Sequence, residues 1–224
     1  MGDMSGEQPA ASSKGSRRYS TPKRDQRAAA TRAAILAAAE ALFLRDGYVA
    51  TSMKAIAARA GVSEKTMYLT FESKATLLRQ AIQLSVQGDE EPTPLSERPE
   101  WRALVAGPVN EVFVRFAKKN AALMTRTAPI IAVAECAAST DPSLAAHRDR
   151  AHAATRANLF ALAVELKRHH AIRPGISEQE AADTIYAVAA DESLYLRLTG
   201  ECGWTPARYA DLIARTLQAT LGTT

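Results

Sequence analysis

The sequence predicts an all-α protein, and three observations carry that prediction. Alanine supplies much of the 47% hydrophobic content, while aromatic residues make up only 6%, and alanine is the residue most at ease in a helix. Apolar residues recur at three- and four-residue spacing along the chain, and no run alternates as a half-buried strand would. Helix-start pairs such as Asp141-Pro142 and Thr205-Pro206, and glycines placed after apolar runs, punctuate the pattern. With 224 residues, there is room for one large domain or for a small one joined to a larger one.

Residues 1–22 read as a disordered basic tail, small and polar, with Lys14, Arg17 and Arg18. They lack the apolar stretch of a signal peptide. No run approaches the ~20 apolar residues of a membrane span, so a soluble, cytoplasmic protein without a membrane partner is expected. From about Arg24 a helix should carry Ile35, Ala39, Leu42 and Phe43 on one face. It should end at Asp46-Gly47, because glycine suits the left-handed residue after a helix. Thr51 or Ser52 should cap a second helix that buries Met53, Ile56, Ala57 and Ala60 and stops at Gly61. Ser63 should open a third, to about Leu69. After Phe71, Ser73 should cap a fourth, with Leu77, Leu78, Ala81 and Ile82 inside.

The stretch from Gly88 to Pro99, with three prolines and four acids, is expected to be a loop between a small part and a large one. Beyond it, Trp101, Leu104, Val105, Val109, Val112, Phe113 and Phe116 form a helical stripe that Gly107-Pro108 should kink. Pro129 should divide Ala121–Ala138 into two short helices. Asp141-Pro142 starts a long helix ending near His169. Ser177 and Glu180 form a capping box for the next helix, to about Leu198. Thr205-Pro206 starts the last, with Tyr209, Leu212, Ile213, Thr216 and Leu217 on one face.

Two brief helices around a glycine turn have helix-turn-helix geometry, and the charge distribution points the same way. Residues 1–80 hold 13 Lys+Arg against 7 Asp+Glu, whereas the rest of the chain is slightly acidic. A basic N-terminal part suggests a polyanionic partner. Lys65 and Thr66, in the first turn of the third helix, are placed to reach base edges; for Lys65, a guanine and a phosphate are both open. Tyr68 and Lys74 are placed for phosphates. Thr51, Ser52, Lys54 and Ser63 complete the set expected to face DNA. The tail could reach an adjacent minor groove or be inert.

The spacing of Phe43, Gly47, Thr51, Ile56-Ala57, Gly61-Val62-Ser63, Tyr68, Phe71, Lys74 and Leu77 resembles the DNA-binding domain of the TetR family of bacterial transcriptional regulators. The resemblance covers about residues 28–88. Leu69-Thr70 and Lys65 depart from the commonest pattern, so an operator sequence does not transfer. After the tail (1–22) read from composition, the resemblance implies a three-helix helix-turn-helix domain (23–88, with the motif at about 51–71) and a helical ligand-binding and dimerisation domain (89–224). It implies a homodimer on palindromic double-stranded DNA, mostly as a repressor, released by a small inducer, and the candidate lining below suits an apolar or aromatic one.

For the dimer face the candidates are Ile185, Val188, Ala189, Leu196, Leu212, Ile213 and Leu217, which could equally pack only within one chain. The candidate pocket lining is Trp101, Val105, Val109, Phe113, Met124, Phe160 and Tyr186, with Glu135 or Asn158 as polar anchor; for each, ordinary core is the alternative. No phosphate loop, catalytic triad pattern or Cys-x-x-Cys is present, so no enzyme, metal or cofactor is expected. His147 and His152 are badly spaced for two ligands on one helical face. Cys136, in an apolar stretch, is expected to be buried and inert. A redox-responsive regulator using Cys136 and Cys202, and a helical enzyme or carrier, are the competing classes.

Overall fold

The computed structural model describes residues 22–88, 99 and 103–223. The tail, most of the 89–102 segment and therefore Trp101 lie outside the described residues. Among the described residues all regular structure is helical, with one isolated antiparallel bridge between Ile172 and Gly222.

The first four helices follow the expected punctuation. Helix α1 (Pro22–Ala50) breaks at Gly47, whose φ of 78° is left-handed. Helix α2 (Met53–Ala60) is capped by the Ser52 hydroxyl, which accepts from the Ala55 N–H, and ends on left-handed Gly61. Helices α3 (Glu64–Thr70) and α4 (Lys74–Gln87) are capped in the same way by Ser63 and Ser73. Ile35, Leu42, Phe43, Ile56, Met67, Phe71 and Leu77 meet in one core. That core is completed by Ile130, Ala137, Ala138 and Leu144 from far along the chain.

The larger part departs from expectation in three places. Gly107-Pro108 does not kink a helix; residues 103–108 form turns, and a single 3-10 turn (Val109–Glu111) leads into α5 (Val112–Ala138). Arg115 holds the turn, donating to the carbonyls of Leu104 and Pro108. Its guanidinium lies where a side chain on residue 107 would stand, so glycine admits it. Next, α5 runs through Pro129 unbroken. An interior proline costs about 3 kcal/mol, and the completely buried Ala128 and Ile130 beside it show what offsets that cost.

The third departure follows α6 (Pro142–Arg168, capped by Asp141) and α7 (Glu178–Ala189). The expected single helix to Leu198 stops at Ala190, because the Asp191 carboxylate takes the Leu194 N–H and caps a new helix, α8 (Glu192–Leu196). A π turn (Arg197–Glu201) continues it, and α9 (Pro206–Leu221) closes the fold.

Helix α5 is the axis of the molecule, with α1, α4, α6, α8 and α9 packed around it. The segment Val109–Ala138 is long and apolar enough to cross a membrane by length and composition, but Phe113, Ala117, Met124 and Ile130 are spent in protein cores.

Candidate nucleic-acid interface and ligand cavity

The α2–turn–α3 unit is set by local chemistry. Gly61 turns the chain, the Val62 N–H bonds back to the Ala57 carbonyl, and the Ser63 hydroxyl takes the Thr66 N–H. Met67 anchors α3 in the core, which leaves the opposite side of the helix open. Lys65 is exposed, Tyr68 is 55% exposed and Leu69 is 79% exposed. Ser52, Ser63 and Lys54 are also exposed, Lys54 lying 4.0 Å from Glu64, and Thr66 is half-buried. Leu69 is not among the residues expected at DNA, yet it is the most exposed large apolar residue on this side. Its signal was an apolar residue one place beyond the tyrosine, on a helix of only seven residues whose inward anchor is Met67.

Two residues expected at DNA have other occupations. Thr51 is buried, and its hydroxyl donates to the Gly47 carbonyl at 2.8 Å, closing the end of α1. Lys74 directs its ammonium at the carbonyls of Tyr48 (2.7 Å), Thr51 (2.8 Å) and Val49 (3.4 Å), over the Tyr48 ring. An ammonium has three protons to give, and these three carbonyls account for them. Burial pushes the Lys74 pKa down, against the pull of Asp141.

The clamped turn is tied to the larger part. The Tyr48 hydroxyl donates to Asp141 at 3.1 Å, and Asp141 is the residue that caps α6. Burial, then the bond to Asp141, raises the Tyr48 pKa to about 12. The Asp141 carboxyl is held below its ordinary value, first by the Ser143 hydroxyl.

The opposite half of α6 borders a cavity of about 630 Å³. Its wall is mainly apolar, from Val105, Phe116, Leu123, Met124, Ile131, Leu159 and Leu162, with Asn120, Thr155, Asn158, Glu165, Arg168, His169 and Glu192 as polar members. Of the expected lining, Val105, Met124 and Asn158 are brought together here. The others are elsewhere. Phe113 is buried core, Val109 sits exposed on the 3-10 turn, and Phe160 points outward at 42% exposure. Glu135 pairs with Arg148 and His152, and Tyr186 lies under Arg156. Along α6, only part of the helix faces the cavity, because α5 and α7 pack against the rest.

Ile185, Ala189, Ile213 and Leu217 are at most 2% exposed, packed in the chain's own core. Only Val188, Leu196 and Leu212 of the expected dimer set keep an open edge. Cys136 is exposed, contrary to expectation, as is Cys202; apolar sequence neighbours do not fix which side of a helix a residue takes. His147 lies near Arg79 and Arg150, and burial together with those charges lowers its pKa. No group of three or more metal-binding side chains occurs among the described residues.

Residues 35–81 match the sequence profile of bacterial regulatory proteins of the tetR family. A comparison with curated protein sequences returns no match. Among solved structures, the chain is similar to NalD, the secondary repressor of the MexAB-OprM multidrug efflux pump in Pseudomonas aeruginosa. The TM-score is 0.65 at 22% identity, covering 88% of this chain and 98% of NalD. It is also similar to SmeT in complex with triclosan, with a TM-score of 0.64 at 19% identity over 87% of this chain and 92% of SmeT. The N-terminal segment is a TetR-type helix-turn-helix, and the chain has the fold of TetR-family regulators.

Proposed function

We propose that this chain is a cytoplasmic, ligand-responsive transcriptional repressor that binds a palindromic operator as a homodimer and lets go when a small apolar or aromatic molecule fills the cavity. The observation that carries the reading is the capped α2–turn–α3 unit with Lys65, Tyr68 and Leu69 open on one side. In a major groove, Lys65 would meet guanine or phosphate, Tyr68 a phosphate, and Leu69 a thymine methyl. Ser52, Lys54, Ser63 and Thr66 would fix register on the backbone.

One such helix reads few bases, and two of them ~34–36 Å apart on a symmetric site solve that problem. Of the residues expected at the dimer face, Val188, Leu196 and Leu212 keep an edge open to a second copy. The repressor role of NalD and the triclosan bound by SmeT support the regulatory half of the reading. TetR-family regulators act by binding DNA, not by catalysis. Inside the chain, α6 and the Tyr48–Asp141 bond form a continuous path from cavity to turn.

Selection of the full chain against random duplexes tests this. A twofold-symmetric motif should emerge, bound by two chains, with affinity falling steeply as salt rises. Affinity without salt dependence, or a single asymmetric site, would sink the proposal.

A further inference from the structure

The cavity carries one charge that no lysine or arginine among the described residues pairs with. Glu165 is paired with Arg168, so those two wall charges cancel. Glu192 has no such partner: among the described residues no lysine or arginine lies within ion-pair distance of it. The break at Asp191 is what turns it inward, since Ala189, Ala190 and Glu192 all border the space. Burial pushes its carboxyl pKa up; its own backbone N–H, and after it His152, pull the other way. Glu135 and Asp191 add like charge. A partly desolvated carboxylate with no opposite charge paired to it is costly, and an occupant bearing that charge lowers the cost.

A second group marks the same end of the cavity. Asn120 is 5% exposed and lines the wall; its side chain and the Tyr209 hydroxyl are neighbours, but Nδ2 and that hydroxyl are both buried without a partner of good hydrogen-bonding geometry. Asn120 therefore offers an occupant a neutral polar group, with no charge of its own to oppose a cation. Phe116 contributes an aromatic ring to the same wall, a surface that attracts cations.

We propose that this cavity takes an apolar organic cation, a protonated amine or quaternary ammonium on an alkyl or aromatic body, with Glu192 as its counter-charge. This rests on the reading of the cavity as the regulatory site. An organic anion would have to draw on Arg168 and His169 instead, and Arg168 is already paired and largely exposed.

The test uses three probes with closely matched straight alkyl tails: decyltrimethylammonium, decanol and decanoate. Each is titrated below its micelle concentration into the full chain by calorimetry, with release of bound operator DNA followed in parallel. The cation should bind about tenfold more tightly than decanol, and decanoate most weakly. Glu192→Gln should bring the cation down to the level of decanol. As a check independent of any variant, the cation's advantage should fade as pH falls through the raised Glu192 pKa, because only the ionised carboxylate pairs with it. Decanoate binding best, or an order unchanged by Glu192→Gln, overturns the proposal. Decanol binding and releasing DNA with no charge preference overturns the cation alone and leaves the cavity as a ligand site. No binding by any probe overturns both.

Discussion

The helix-turn-helix and the helices that follow it are made of the same alanine-rich material but are delimited in different ways. In the first region, helices of 8, 7 and 14 residues begin at Ser52, Ser63 and Ser73, each serine bonded to the third N–H beyond it. Left-handed Gly61 ends α2. In the second, α5 and α6 each run 27 residues, and a proline inside α5 does not stop it. A short helix has too little packing area to override its caps, so local rules decide it. A long helix sums contacts over many turns, so packing outvotes a single unfavourable residue.

The two regions share a seam, and the largest expected effect tests it. Phe43→Ala removes a completely buried ring from a core that also contains Ile130 and Leu144. It should cost about 3–5 kcal/mol and lower the melting of the whole chain in one transition. A separate, earlier transition confined to the helix-turn-helix would show that the seam does not hold the regions together.

Lys74→Ala comes next. Leaving three carbonyls without their ammonium should cost about 2 kcal/mol of stability. The slope of DNA affinity against salt should stay where it was. A slope reduced by about one would return Lys74 to the phosphate role its position in the sequence suggested.

Leu69→Ala should weaken operator binding by about 1 kcal/mol, and only where a thymine occupies the contacted position. A uniform loss across sequences in a competition assay would make Leu69 a packing residue. Of this set, the smallest effect belongs to Tyr48→Phe. Losing its bond to Asp141 should cost about 0.5–1 kcal/mol in denaturant unfolding, while the response of DNA binding to an occupant shrinks. Asp141 adds a pH signature: its lowered carboxyl contributes stability above the ordinary aspartate range, and that contribution is lost as pH falls through the depressed value. In Tyr48→Phe, that acid-side loss should be shallower.

How much could be read beforehand follows the same division. Ser52, Gly61, Ser63 and Ser73 are self-sufficient signals, and each element they mark stands where the sequence put it. The faces of the long helices depend on partners that no local pattern names. Cys136 therefore points outward and Phe160 lies outside the cavity, while Glu192 enters it only because Asp191 restarts the helix. Thr51 and Lys74 show a subtler limit. Their types suit a phosphate, but carbonyls of the neighbouring turn, invisible in the sequence, engage them first.

Helix α6 is about 40 Å long at 1.5 Å per residue, with Asp141 tied to Tyr48 at one end and the cavity along the other half. Linkage makes any coupling along it reciprocal. By whatever factor an occupant loosens DNA, DNA loosens the occupant by the same factor. On the proposed function, a chain seated on its operator would therefore be a poorer detector than a free one. The response threshold in a cell would then depend on how many operator copies compete for the protein, as well as on how much ligand is present.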